Sequence, residues 1–445
     1  IREGLVFDKA GWYENLKPFI DNKALTDASW NYDDFGAGLR SAQTVNGKVA
    51  TIPINSEGPL FYWRKDLFAR CKVAEPMFIE DIPEAAKALK GCDATQGIWA
   101  ARGIRGAINY AMAAFVRNTG GEFTTRGFLD GWDPETGQKL WRRYTIPSPG
   151  EPGSDTWPPN NDAWMYGGGA TWRSGSYDPE LDLVYWGTGN AEPYDPRPRG
   201  ELDSLYTSSV IAIRPKTGEL VCHFQYTPND VYDVDGADEH VLADLQIGGQ
   251  LRKVIIQANK NGFLYVLDRT NCRLIAAHPF VRVNWATHID VATGRPVLTD
   301  LYKRFLAGEE VEIWPQRGSN AVPVAFNPNT GLVYTSSWHM PRIQKIAPPK
   351  TQVLGANSTG VLGRIPVFKP GDVVGHFVAI NPLTGVKKWE VPLTDMPSSA
   401  GTLVTGGGLV FTGKLTGEFI ALDEDTGATL WQFKTGSSIN ATAIT

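Results

Sequence analysis

Cysteine is scarce in this chain, with four in 445 residues, at positions 71, 92, 222 and 272. Their wide, irregular spacing fits neither a zinc site nor a disulfide scaffold, and it leaves open a Cys71–Cys92 bridge or free buried thiols. Positive charge is not in surplus either. The net charge is −5 and the pI about 5.8, which gives no reason to expect nucleic acid or an anionic membrane as partner. No apolar run approaches the ~20 residues that cross a bilayer. The chain opens at Ile1 without Met, basic leader or apolar leader, so its first residues read as the middle of a longer chain.

Tryptophan and glycine, by contrast, are abundant, at 15 and 47 residues. They meet in one phrase, Asp/Asn-x-x-Thr-Gly-x-x-x-Trp, found as DPETGQKLW (133–141), NPLTGVKKW (381–389) and DEDTGATLW (423–431). The Asp or Asn side chain caps a turn and Gly takes its φ > 0 position. The following strand then delivers a Trp that needs a large apolar seat. The last two copies are spaced by the period of a four-stranded propeller blade. A degraded copy, RPKTGELVC, occupies 214–222, and related turns begin at Asp178, Asp290 and Asn327. None precedes residue 120.

That asymmetry divides the chain. Residues 1–118 read as mixed α/β, with helical patterns at 78–91 and 107–118 and a hairpin strand opened by Asn46-Gly47 in NGKVATIPIN (46–55). From about 123 onward, short strands alternate with Gly, Pro, Asn and Asp turns. The boundary is placed at 118–126, giving domains 1–118 and 119–445. The run ALTDASWNYDDFGAGLRSAQTVNGKVATIPINSEGPLFYWRKDLF (24–68), with KAGWYENLKPFID upstream and DATQG and RGIRGA downstream, resembles the family 1 extracellular solute-binding proteins of sugar-type ABC importers. The resemblance implies an α/β lobe that helps clamp a sugar, with Glu57, Tyr62 and Trp63 the nearest contact candidates. Plain packing accounts for the same aromatic side chains. A stretch of about 120 residues is shorter than a two-lobed binding protein.

Two segments of the second half carry chemistry. In GGGATWRSGSYDPELDLVYWGTGNAEPY (167–194), the Gly run lets backbone approach a flat ligand, Trp172 offers a stacking face, and Asn190 sits on a Gly-flanked turn. Its amide oxygen suits a hard cation. In NDVYDVDGADE (229–239), Asp230, Asp233, Asp235, Asp238 and Glu239 crowd into one loop. So many carboxylates need either solvent or a cation.

GGGATW, WGTGN, YTPNDVYDVDG and QANKNGFLYVLDR (257–269) follow one another in the order and spacing of the pyrroloquinoline-quinone (PQQ)-dependent alcohol dehydrogenases, and the chain from about Gly120 to Thr445 resembles that family. The resemblance implies an eight-bladed propeller. Turn marks at 133, 178, 214, 268, 327, 381 and 423 leave about six blades here. The fold expected is therefore mainly β, an incomplete eight-bladed-type β-propeller preceded by an α/β solute-binding-protein-like fragment.

Carried over motif by motif, Trp172 is the indole floor under PQQ, Lys260 bonds the quinone oxygens and Asn320 of RGSNAVP contacts the cofactor. Asp233 is the general base, and Glu122, Asn190, Asp233 and Asp235 are the metal ligands. A second Asp two residues after the base resembles the lanthanide-using branch, where Ca2+ enzymes usually have a small neutral residue; capping of the Gly236 turn is the other reading of Asp235. The family implies periplasmic oxidation of a primary alcohol, with electrons passed to a c-type cytochrome.

Two features depart from the family pattern. No adjacent Cys-Cys pair is present, and the solute-binding-like segment stands where the first two blades belong. NTGGEF (118–123) satisfies both parents, so Glu122 belongs to either and the chain reads as a fusion joined there. The alternatives are a carbohydrate-binding component of an ABC importer and a non-enzymatic propeller scaffold.

Overall fold

Asn46 and Gly47 take the two left-handed positions of a tight turn, at φ 48° and 79°, and fold β1 (Thr44–Val45) onto β2 (Lys48–Val49). The hairpin that Asn-Gly announced is therefore present through Val49, while residues 52–55 of the expected strand lie outside the described residues. In this computed structural model the chain divides into two compact units, Ile1–Trp99 and Ala100–Thr445. The described residues are 14–26, 31–34, 40, 43–51, 65–74 and 88 in the first, and in the second 125–436, apart from 134–137, 321, 349–358 and 396–399, with 438–439. The helical patterns at 78–91 and 107–118, the sugar-contact candidates Glu57, Tyr62 and Trp63, Cys92 and Glu122 lie outside them, as does most of the boundary segment. The first unit also holds helices Lys17–Asp21 and Lys65–Cys71.

The second unit is built from antiparallel strands in sequence order. β3 (Phe128–Trp132) and β4 (Lys139–Tyr144) form a hairpin. β5 (Ser176–Asp178), β6 (Leu183–Gly187), β7 (Ser209–Ile213) and β8 (Leu220–Gln225) make a four-stranded sheet. β9 (Val241–Ile247), β10 (Gln250–Ala258), β11 (Phe263–Asp268) and β12 (Leu274–Pro279) make the next. A small hairpin follows, β13 (Ala286–Ile289) with β14 (Pro296–Leu298), then β15 (Val311–Ile313).

After β16 (Ala325–Asn327) and β17 (Leu332–Trp338) the chain leaves its sheet. It pairs β18 (Arg342–Ile346) and β19 (Val361–Arg364) with β15, then returns as β20 (Gly375–Ile380) and β21 (Lys387–Leu393). β22 (Leu403–Val404), β23 (Leu409–Gly413), β24 (Glu418–Asp423) and β25 (Thr429–Lys434) complete the set. Marks 178 and 214 fall in one sheet, and 327 and 381 in another. The seven marks thus spread over five sheets among the described residues, beside the expected six or so, and no sheet closes into a ring.

Strand periodicity explains how the sheets stack. In β10, Val254 and Ile256 face one way and Ile255 the other; in β11, Leu264 and Val266 oppose Phe263, Tyr265 and Leu267. One set packs against Tyr185, Val210, Ala212 and Phe224 of the preceding sheet, the other against Val333, Val378 and Ile380 of the following one. An inner strand covered on both faces is largely apolar, and β7 and β11 are buried along their whole length.

The repeated phrase works at these joints. Trp141 donates from Nε1 to the Pro215 carbonyl at 3.0 Å, and its ring lies where a Cβ on Gly218 would come within 2.6 Å. Trp389 does the same to the Glu424 carbonyl, at 2.8 Å, and to Gly427. The Thr-Gly turn therefore needs glycine twice, for its φ near 70° and for the indole from the neighbouring sheet. At the joint with the 381–385 turn, His278 bonds the Leu383 carbonyl at 2.9 Å.

In the degraded copy, Cys222 stands in the Trp position and is disulfide-bonded to Cys272 of the next sheet. Among the described residues no cysteine is free, and Cys71 is also disulfide-bonded. This corrects the expectation that the spacing fits no disulfide framework. Residues 50 apart in sequence are brought together by sheet stacking, which spacing along the chain does not report.

Candidate active site

Asp230 organises the acidic loop. Its carboxylate accepts the N–H groups of Tyr232 and Val234, each at 2.8 Å, and the Ser208 hydroxyl at 2.9 Å. Burial pushes this carboxyl up to about 6 despite those bonds. The turn it ties puts Asp233 in the left-handed region, at φ 61°. Asp233 and Asp235, two residues apart, both reach Lys260.

Lys260 Nζ donates to Asp233 Oδ1 at 2.9 Å and to Asp235 Oδ2 at 2.8 Å. Burial disfavours its charge, but the two carboxylates outweigh that and raise its pKa. Its loop joins β10 to β11 and is pinned from both sides: Asn261 bonds Thr227 and Tyr265, Trp285 Nε1 donates to the Asn261 carbonyl, and Gly318 N–H donates to the Lys260 carbonyl. The second Asp235 oxygen accepts the Asn190 backbone N–H at 2.8 Å. A Cβ on Gly189 would approach that oxygen at 3.0 Å, so the glycine before Asn190 leaves room for the carboxylate. The Asp235 side chain thus bonds Lys260 and Asn190.

Of the remaining expected residues, Glu122 lies outside the described residues and Asn190 touches this pair. Asn190 turns its Nδ2 toward the Ala191 carbonyl, at 3.0 Å, and Glu192 Oε1, at 3.5 Å. Asn320 has a buried Oδ1 without a hydrogen-bond partner; Trp338, whose N–H bonds the Gly318 carbonyl, likewise leaves its indole N–H unpartnered. Trp172 is partly exposed beside the Arg173 guanidinium, 5.3 Å from its ring. The Gly run before it is spent on protein backbone, since Gly168 bridges Arg126 and Ala191.

Four residues near this cluster are not among those singled out in the sequence. Arg342, from the β18 excursion, comes to 3.5 Å from Asp233 Oδ2. Arg317 lies over Trp338 at 4.7 Å. Glu192 follows Asn190 by two positions, and burial pushes it up to about 8. Arg173 follows Trp172 directly and is buried. Nearness in sequence to Trp172, Asn190 and Asn320 would have flagged Arg173, Glu192 and Arg317, and nothing local flags Arg342.

Among the described residues no three His, Cys, Asp or Glu side chains stand together as a metal cage. The donors in reach of one another are Asp233, Asp235 and Asn190, with Lys260 supplying the positive charge between the carboxylates. Buried Arg173 nitrogens, the Trp338 N–H and the Asn320 oxygen all lack protein partners. Three of these four atoms are donors, a set suited to a polar, anionic ligand.

The sequence model described as "Glucose/ethanol/alcohol dehydrogenase, beta-propeller domain" matches residues 110–279. That of "Bacterial extracellular solute-binding protein" matches 5–185, overlapping the first, and that of "Outer membrane protein assembly factor BamB" matches 374–444. Quinohemoprotein alcohol dehydrogenase ADH IIB of Pseudomonas putida is 40% identical over 351 residues, covering 74% of this chain and 49% of that protein. The lanthanide-dependent methanol dehydrogenase of Methylacidiphilum fumariolicum (strain SolV) is 36% identical over 352 residues, covering 74% and 56%. The chain thus spans about half the length of the curated relatives it matches.

A solved europium-containing methanol dehydrogenase superposes with a TM-score of 0.67 at 35% identity, covering 72% of this chain and 59% of that one. From about residue 120 onward the chain resembles the PQQ-dependent alcohol dehydrogenases, while its N-terminal part resembles a bacterial extracellular solute-binding protein.

Proposed function

We propose that residues 119–445 oxidise a primary alcohol to the aldehyde with PQQ and Ca2+ or a lanthanide ion, in the periplasm, and pass electrons to a c-type cytochrome. Residues 1–118 form a separate solute-binding-like fragment in this reading. The observation that carries it is the Asp233–Lys260–Asp235 cluster, set among buried polar groups that have no protein partner.

When bound, the quinone and its cation would supply a two-electron acceptor and a Lewis acid. Asn190, Asp233, Asp235 and, from outside the described residues, Glu122 would hold the cation, and Trp172, Lys260 and Asn320 the quinone. The chain's own contribution is orientation and proton transfer. Lys260 and Arg342 grip Asp233 from either side and aim its carboxylate, which takes the alcohol hydroxyl proton as general base. Lys260, on the pinned Asn259–Asn261 loop, would supply its ammonium charge to the quinone when it is bound.

The test is dye reduction by the purified chain given PQQ, a primary alcohol and either Ca2+ or La3+. Activity is expected, and Asp233→Asn should lower it by roughly 10²–10⁴. A folded protein inactive with both ions would sink the reading. The match over residues 5–185 favours a second reading, sugar binding for an importer. Sugar-dependent thermal stabilisation would support it, and an unchanged melt would count against it.

A further inference from the structure

We infer that Arg173 is a binding residue that grips one carboxylate of the ligand side-on, through Nε and Nη2; this rests on the quinone reading above. Arg173 is only 4% exposed, yet both of these nitrogens are buried without a hydrogen-bond partner. The chain treats a structural arginine differently. Arg199 is fully buried, and its Nε, Nη1 and Nη2 donate to the Pro193 carbonyl, Ser204, Asn229 and the Asp230 carbonyl. A cation with unmet donors in so closed a place is unfavourable unless a ligand completes it.

Geometry narrows the ligand group. Nε–H and Nη2–H lie along one edge of the guanidinium, parallel and spaced for the two oxygens of a single carboxylate. The position is adjacent to the proposed stacking face, with Arg173 Cζ 5.3 Å from the Trp172 ring. Burial lowers the pKa of Arg173, while Asp238, Glu239 and Asp235 pull the other way. Those acids already balance part of its charge, which favours one carboxylate over a doubly charged phosphate. PQQ is a tricarboxylate and meets that requirement.

The experiment compares PQQ with its trimethyl ester by quenching of tryptophan fluorescence, a readout independent of turnover. Wild type should bind the triacid more tightly than the ester. Arg173→Gln should lower triacid affinity at least tenfold and leave ester affinity within about twofold, so that the preference collapses. Arg173→Lys should behave alike, because an ammonium lacks the paired donors; it decides the matter if Arg173→Gln does not fold. An undiminished preference in a folded variant overturns the inference and leaves the cofactor reading standing. Wild type that binds neither compound overturns the cofactor reading, and this inference with it.

Discussion

Arg342 and Asp233, 109 residues apart in sequence, meet at 3.5 Å because the chain leaves its sheet after β17 and returns only at β20. The excursion carries Arg342 to the carboxylate from the side opposite Lys260. Arg342→Gln should therefore loosen the aim of Asp233 without emptying the site. In the dye assay we expect kcat to fall about tenfold, with PQQ affinity by fluorescence quenching unchanged within about twofold. A parallel loss of cofactor affinity would show that Arg342 binds the ligand instead.

Glu192 sets a pH dependence of stability. Burial pushes it up to about 8 from the 4.5 of a free carboxyl, so the folded protein keeps a proton that the unfolded chain releases. Its contribution is full below about 4.5 and is lost as pH rises through 8, at up to about 1.4 kcal/mol per pH unit. His240 acts in the opposite sense. Burial lowers it to about 3, so its share is lost as pH falls below the ordinary histidine range. Comparing Glu192→Gln with wild type by urea titration in chelator isolates the first effect: the variant should flatten the decline between pH 6.5 and 8. Parallel curves would assign Glu192 an ordinary pKa.

Cys222 and Cys272 should be recovered as one cross-linked peptide after digestion without reductant. Replacing both by alanine should lower the unfolding free energy by about 2–5 kcal/mol. Unchanged stability would mean that packing alone holds this joint.

Gly427 meets the Trp389 ring at a φ of 72°. Gly427→Ala should cost roughly 1–3 kcal/mol in chemical denaturation, since it meets both a strained backbone and an occupied seat. Gly331→Ala, at φ 66° with open space around it, should cost less. Equal losses in the two variants would assign the whole effect to backbone strain.

The legible part of the fold was the part written locally. Asn46-Gly47, the Asp-x-x-Thr-Gly turns and their Trp residues declared a hairpin and a stack of sheets, because turn chemistry depends on neighbours in sequence. What the turns could not say is which of them share a sheet, since β16–β17 and β20–β21 are separated by a long excursion. For the site, YDVDG and NKNG identified residues that do converge, Asp233, Asp235 and Lys260. Arg342 escaped notice because its proximity is made by topology alone. Cys222 and Cys272 escaped for the same reason.

The disulfide has a mechanical consequence. Among the described residues, the other joints between sheets rest on non-covalent contacts that part under load, and Cys222–Cys272 rests on a covalent bond. Pulled at its ends, the chain should lengthen sheet by sheet while the 50-residue span between these cysteines stays out of the extension. That withheld slack amounts to roughly 170 Å of extended backbone. Reductant in the pulling buffer should release it, lengthening the fully extended chain by that amount.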